Sequence, residues 1–216
     1  MIGPVMIGPS SSHTAGVVRI GRVARRLLGG TPGSAEIVFY NSFARTYEGH
    51  GSDRAIIAGL LDYKTDDNRI KQSLELAVEG GLQYSFRGIG NASTLHPNTV
   101  KLTLTREERK IEVVGESLGG GIINIAEVNG FRADFRATLH TLIITAEDTK
   151  GSIAFIASVL AHDDCNIATM SVSRKGKHDL ACHVIEMDSG LKPITLDYIR
   201  SLSWVKEVTY IPDIDL

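Results

Sequence analysis

The sequence predicts a two-domain α+β protein, with a mixed α+β domain over residues 1–137 and a ferredoxin-like βαββαβ domain over 138–216. Three observations carry that prediction. Apolar spacing in the second half switches between strand and helix periods in the order strand, helix, strand, strand, helix, strand. The first half carries one long helical pattern, then a mixture of strand and helix patterns. The 216 residues, 43% hydrophobic and 22% charged, suffice for two small soluble domains.

In chain order, a glycine-, proline- and serine-rich loop opens the chain. A helix follows from about Ala15 to Leu28, with Val17, Ile20, Gly21, Ala24, Leu27 and Leu28 expected inside and Arg19, Arg22, Arg25 and Arg26 outside. Gly29-Gly30 stops it. Ala35 to Tyr40 reads as a strand, Asp53 to Leu61 and Asn68 to Val78 as helices, and Leu82 to Arg87 as a strand. Three or four strands come after His96-Pro97-Asn98-Thr99, ending in a hairpin turned at Asn129-Gly130. The boundary falls near Arg136 to Thr138.

In the second half, Leu139 to Ala146 alternates, with Leu142, Ile144 and Ala146 on one face and Thr141, Ile143 and Thr145 on the other. Asp148-Thr149-Lys150-Gly151 turns the chain, with Asp148 or Ser152 available as a cap. Ile153, Ile156, Ala157 and Leu160 form a helix stripe. Ile167 to Arg174 is a strand with Ala168, Met170 and Val172 expected toward the core. Lys175-Gly176-Lys177 connects it to the strand Leu180 to Met187. Pro193 opens a helix striped by Ile194, Tyr198 and Leu202. Trp204 to Ile211 closes the domain. With both helices on one side, the other face or an edge of this sheet is free to pair with a second copy, so a homodimer is expected.

Composition narrows the function. A net charge of -2 and a pI near 6.4 lack the basic footprint of a nucleic-acid binder. No apolar run reaches the roughly 18 residues of a membrane span. The opening Met1-Ile2-Gly3-Pro4-Val5-Met6 has no secretory pattern, and Cys165 and Cys182 make no disulfide framework, so a cytoplasmic location is expected. Two thiols cannot hold an iron–sulfur cluster, which usually takes about four. HExxH, P-loop and GxSxG motifs are absent from the sequence.

Three polar stretches have residues suited to chemistry. Gly8-Pro9-Ser10-Ser11-Ser12-His13-Thr14 leads into the first helix. Hydroxyls beside the N–H groups of a helix start suit an anion such as a carboxylate, and His13 handles a proton near neutral pH. Spacing alone fits a serine-capped helix with a surface histidine equally well. Gly49-His50-Gly51-Ser52-Asp53 permits close backbone approach or makes a plain turn. His96-Pro97-Asn98-Thr99 offers a donor and an acceptor on a proline-stiffened loop, or again a turn. Gly119-Gly120-Gly121 lies between strands, so it reads as a bend and not as a dinucleotide loop. Asp148, Gly151, Asn166 and Ile167 sit at strand–helix corners, where they would form an effector pocket or simply turn the chain.

These motifs, with Ser117-Leu118-Gly119-Gly120-Gly121, occur in the order seen in iron–sulfur L-serine dehydratases. The chain resembles the beta chain of the two-chain form over essentially its whole length, and its second half resembles an ACT domain. The resemblance implies a cysteine-bearing alpha chain holding a [4Fe–4S] cluster. An open iron there acts as Lewis acid on the substrate hydroxyl while a base removes the α-proton. L-serine then yields aminoacrylate, and from it pyruvate and ammonia. Matched by motif position, His13 and His96 are the implied catalytic groups. Ser11, Ser12, Thr14, Asn98 and His50 are the implied substrate contacts, and Asp148, Gly151, Asn166 and Ile167 the implied amino-acid effector site. The chain starts only a few residues before the first motif, so a short N-terminal strand is expected to be missing. The competing reading is a stand-alone amino-acid-binding regulatory module. A pyridoxal-phosphate serine dehydratase is rejected on size, because about 135 residues outside the second domain cannot hold a full Schiff-base catalytic domain.

Overall fold

The computed structural model describes residues 5–8, 10–90, 94–176 and 179–213. Pro9, Lys177 and the start Met1 to Pro4, used above, lie outside them. The chain forms two compact units that divide between Gly130 and Phe131, several residues before the expected boundary.

In the first unit, a π-helical turn Ser11–Ala15 runs directly into helix α1, Gly16–Leu28. Strand β1 (Ser34–Tyr40), helices α2 (Asn41–Thr46) and α3 (Ser52–Leu60), a 3-10 turn (Asn68–Gln72), helix α4 (Ser73–Glu79) and strand β2 (Gln83–Ile89) follow. Strands β3 (Thr99–Arg106), β4 (Arg109–Gly119) and β5 (Ile122–Val128) complete it. The strands lie in the order β2-β1-β3-β4-β5. β1 is parallel to β2, and the pairings of β1 with β3, β3 with β4 and β4 with β5 are antiparallel.

Helix α1 is the centre of this unit. It packs on α3 so closely that a Cβ on Gly59 would lie 2.2 Å from the Val18 carbonyl oxygen, and one on Gly21 2.6 Å from that of Ile56. Only glycine allows that crossing. The arginines expected outside are divided. Arg19 is 2% exposed and donates to Gly121 O at 2.6 Å, and Arg22 is 8% exposed and pairs with Asp62 at 3.3 Å. A helix covered on two sides has little solvent face left, so Arg19 meets a backbone carbonyl and Arg22 a carboxylate inside. Arg25 and Arg26 join the same Asp62 carboxylate.

Asn129 and Gly130 take φ of 51° and 72°, the pair of positive values a two-residue I′ hairpin needs. The second unit then runs β6 (Phe131–Phe135), β7 (His140–Glu147), α5 (Ser152–His162), β8 (Ile167–Arg174), β9 (Leu180–Met187), α6 (Pro193–Ser201) and β10 (Val205–Ile211). Its sheet order, β10-β7-β9-β8, all antiparallel, is the ferredoxin-like arrangement the periodicity predicts. Leu142, Ile144, Ala146, Ile156, Leu160, Ile185 and Ile199 fill the core.

Two expectations are corrected here. A register shift between Ile167 and Thr169 breaks the alternation of β8. Ile167 and Met170 therefore reach the core, while Ala168 is exposed and Val172 is 41% exposed. The sheet face opposite the helices is also not bare. Ser171 and Ser173 donate to the carbonyls of Ala133 and Arg132, at 3.5 and 2.8 Å, so β6 occupies part of it.

Candidate active site

The site begins at the entry to α1. Ser10 is extended, with φ -146° and ψ 129°, and its hydroxyl accepts from His13 N at 3.3 Å. The next turn is widened to a π-helix, closed by Gly16 N–H donating to Ser11 O. Such single turns recur at functional sites because they re-aim side chains that a regular helix would stagger. Here the turn gathers the hydroxyls of Ser10 and Ser12 on one ring nitrogen: His13 Nδ1 is 3.3 Å from the first and 3.0 Å from the second, and the two hydroxyls are 3.2 Å apart.

Neighbouring elements hold this turn by its backbone. Ser117 of β4 donates to Ser12 O at 2.7 Å, and Ser52, the first residue of α3, donates to His13 O at 2.9 Å. Ser52 is thus no helix cap; Gly51 precedes the helix at φ 70°, without a side-chain cap. Gly120 N donates to Ser11 Oγ at 3.2 Å. Gly119, Gly120 and Gly121 all take positive φ, 93°, 62° and 81°, a run that side-chain-bearing residues resist. The glycine triplet is therefore part of the site, a role its place between strands had not suggested.

The imidazole is half-buried. Its Nε2 lies 3.1 Å from Thr46 Oγ1, its edge meets Phe43 at 5.0 Å between centroids, and the His50 ring sits 4.8 Å away. Burial, and secondly the neighbouring His50, hold its pKa below the ordinary 6.5. Asp53, buried at the start of α3, is pushed above its usual value, chiefly by burial, although Arg54 N–H donates to it at 2.8 Å.

Of the residues expected to act together, Ser12, His13 and His50 converge, and Ser11, next along the same turn, accepts from Gly120 N. Asn98 reaches them indirectly, donating from Nδ2 to Ser117 O at 3.4 Å. His96 Nδ1 accepts from Asn98 N at 3.2 Å and so shapes its own loop. Thr14, expected as a substrate contact, is 1% exposed and turns inward. A Cβ on Gly8 would collide with it, and its hydroxyl has no hydrogen-bond partner among the described residues. Ser10, Thr46, Ser52 and Ser117 were not expected as site residues. Ser10 stood in the motif, but the other three are joined to it only by folding.

At the corners of the second unit, Asp148 pairs with Arg174 at 3.0 Å and Asn166 donates to Asp188 at 2.5 Å. Gly151 precedes α5 at φ 86°, and Ile167 packs on the core. Cys165 and Cys182 are free and buried, and burial pushes the Cys182 thiol up to about 11. That is the reverse of what a thiolate ligand needs. Among the described residues, no helix is long and apolar enough to cross a membrane.

Fold and site together define an α+β chain with a histidine-centred polar site on its first unit and a ferredoxin-like second unit. The profile of the serine dehydratase beta chain family matches residues 2–128. The chain is 46% identical over 213 residues to the probable L-serine dehydratase, beta chain, of Bacillus subtilis (strain 168), covering 99% of this chain and 96% of that one. It is 36% identical over 210 residues to the L-serine dehydratase, beta chain, of Peptoniphilus asaccharolyticus, covering 97% and 93%. The chain belongs to the serine dehydratase beta chain family. Among solved structures, the ACT domain of a GTP pyrophosphokinase from Chlorobium tepidum is similar at 22% identity and a TM-score of 0.27, over 33% of this chain and 94% of that one.

Proposed function

We propose that this chain is the proton-handling subunit of an L-serine dehydratase, converting L-serine to pyruvate and ammonia together with an alpha chain that carries the [4Fe–4S] cluster. The observation that carries the reading is the His13 imidazole, set between two serine hydroxyls and Thr46 with its pKa lowered by burial. A neutral imidazole accepts a proton at once, whereas an imidazolium must first lose one.

In this reading His13 takes the substrate's α-proton. Ser11 and Ser12 bind its carboxylate or amine, Asn98 and His96 shape the adjoining wall, and His50 keeps the imidazole uncharged. Membership of the family and the burial of both cysteines support placing the cluster on a partner. The two free thiols accord with a cytoplasmic location. The proposal also gives the second unit an amino-acid effector near Asp148, Gly151, Asn166 and Ile167, and a homodimer contact along the edge strand β8.

Anaerobic co-expression with a cysteine-bearing alpha chain, assayed for pyruvate from L-serine, tests this. Turnover is expected only from the pair. Stabilisation of the lone chain by amino acids, without turnover from any pairing, would favour a stand-alone regulatory module.

A further inference from the structure

The hydrogen bonds around His13 leave little choice of tautomer. Thr46 lies in the last turn of α2, and its hydroxyl donates to Ser42 O at 2.9 Å. A threonine hydroxyl has one proton, so toward His13 Nε2, 3.1 Å away, it can only accept. A neutral imidazole has one N–H. If Nε2 carries it, Nδ1 presents a bare lone pair.

The other side of the ring accommodates the same tautomer. Ser10 Oγ accepts from His13 N, which leaves its own proton for Ser12 Oγ at 3.2 Å. The Ser12 proton is then directed at Nδ1, 3.0 Å away. Every proton of Ser10, Ser12, the His13 ring and Thr46 then finds an acceptor, and no two donors face each other. The opposite tautomer would let Nδ1–H donate to a serine hydroxyl but leave Nε2 facing a hydroxyl already committed to Ser42.

We infer that Thr46 is a positioning residue that fixes His13 as the Nε2–H tautomer, so that Nδ1 is the atom that receives the proton once Ser12 turns its own hydroxyl proton to the substrate. The inference rests on the proposed role of His13 for its catalytic meaning, but the tautomer itself does not. A triad aspartate sets a histidine tautomer in hydrolases by donating nothing and accepting from one nitrogen. Thr46 does the same as a neutral acceptor made one-directional by a helix carbonyl.

The test uses the full chain labelled with 15N-histidine, with the His13 signals assigned by their loss in His13→Gln. Above the imidazole pKa, Nε2 is expected to be protonated and Nδ1 bare. Thr46→Val, which keeps the shape but removes the acceptor, should populate the Nδ1–H form. In the assembled dehydratase it should lower kcat/KM on the order of tenfold, the scale of one neutral hydrogen bond, and Thr46→Ser should restore both. A bare Nε2 in the wild type, or a Thr46→Val chain with unchanged tautomer, would overturn the inference whatever its stability. Full turnover by His13→Ala, with Nε2 still protonated in the wild type, would instead remove the proposed function and leave the tautomer assignment standing.

Discussion

At the residue scale, His13 is the group on which the rest converges. Two backbone carbonyls of its turn, those of Ser12 and His13, are pinned by hydroxyls from β4 and α3, so the ring is aimed by three elements. The serine–histidine motif was legible because it is contiguous. Ser52 and Ser117 stood in quoted motifs, but their grip on the His13 turn was not legible, and Thr46 stood in none, since each is an ordinary hydroxyl with a partner far along the chain. Burial and His50 both oppose protonation of the imidazole. A base with a lowered pKa stays active to lower pH, so the acid limb of kcat/KM should fall below 6.5. Replacing His50 by Gln removes one of the two causes and should move that limb upward. A pH–rate profile of both enzymes checks the sign, and an unmoved limb would show that His50 does not act on His13.

At the element scale, the π-helical turn leading into α1 carries the site, and α1 carries the unit's core along its length. Its apolar stripe was readable from spacing, but the burial of Arg19 and Arg22 was not, because periodicity marks one apolar face and cannot see a second covering layer. The bulge in β8 escaped for a related reason: alternation assumes an unbroken register. The short α2 offers less than two turns of pattern, yet it supplies Phe43 and Thr46 to the site. The α1–α3 crossing depends on Gly21 and Gly59. Gly59→Ala gains about 1 kcal/mol of helix propensity but forces a Cβ against a backbone carbonyl, and overpacking costs about 1–3 kcal/mol. A lowered denaturation midpoint is expected, with site loss following only from unfolding. A raised midpoint would mean the helices separate at no cost.

At the scale of the whole molecule, the two-unit order and the βαββαβ half followed from periodicity and turn residues. The division fell earlier than expected because Phe131–Phe135, read as the end of the first domain, groups with the second unit. Its serine-bonded placement over β8 is invisible to a local pattern. With its thiol near 11, Cys182 should resist alkylation at pH 8 in the folded chain and react promptly once unfolded. Mass spectrometry after timed exposure to iodoacetamide reads this, and rapid native labelling would contradict the buried thiol.

A His13→Ala chain, assembled anaerobically with the alpha subunit, tests the proposed base. With cluster absorbance at the wild-type level, turnover of L-serine should fall at least about a hundredfold, as expected for loss of a positioned base. Near-normal turnover at full cluster content would contradict the account.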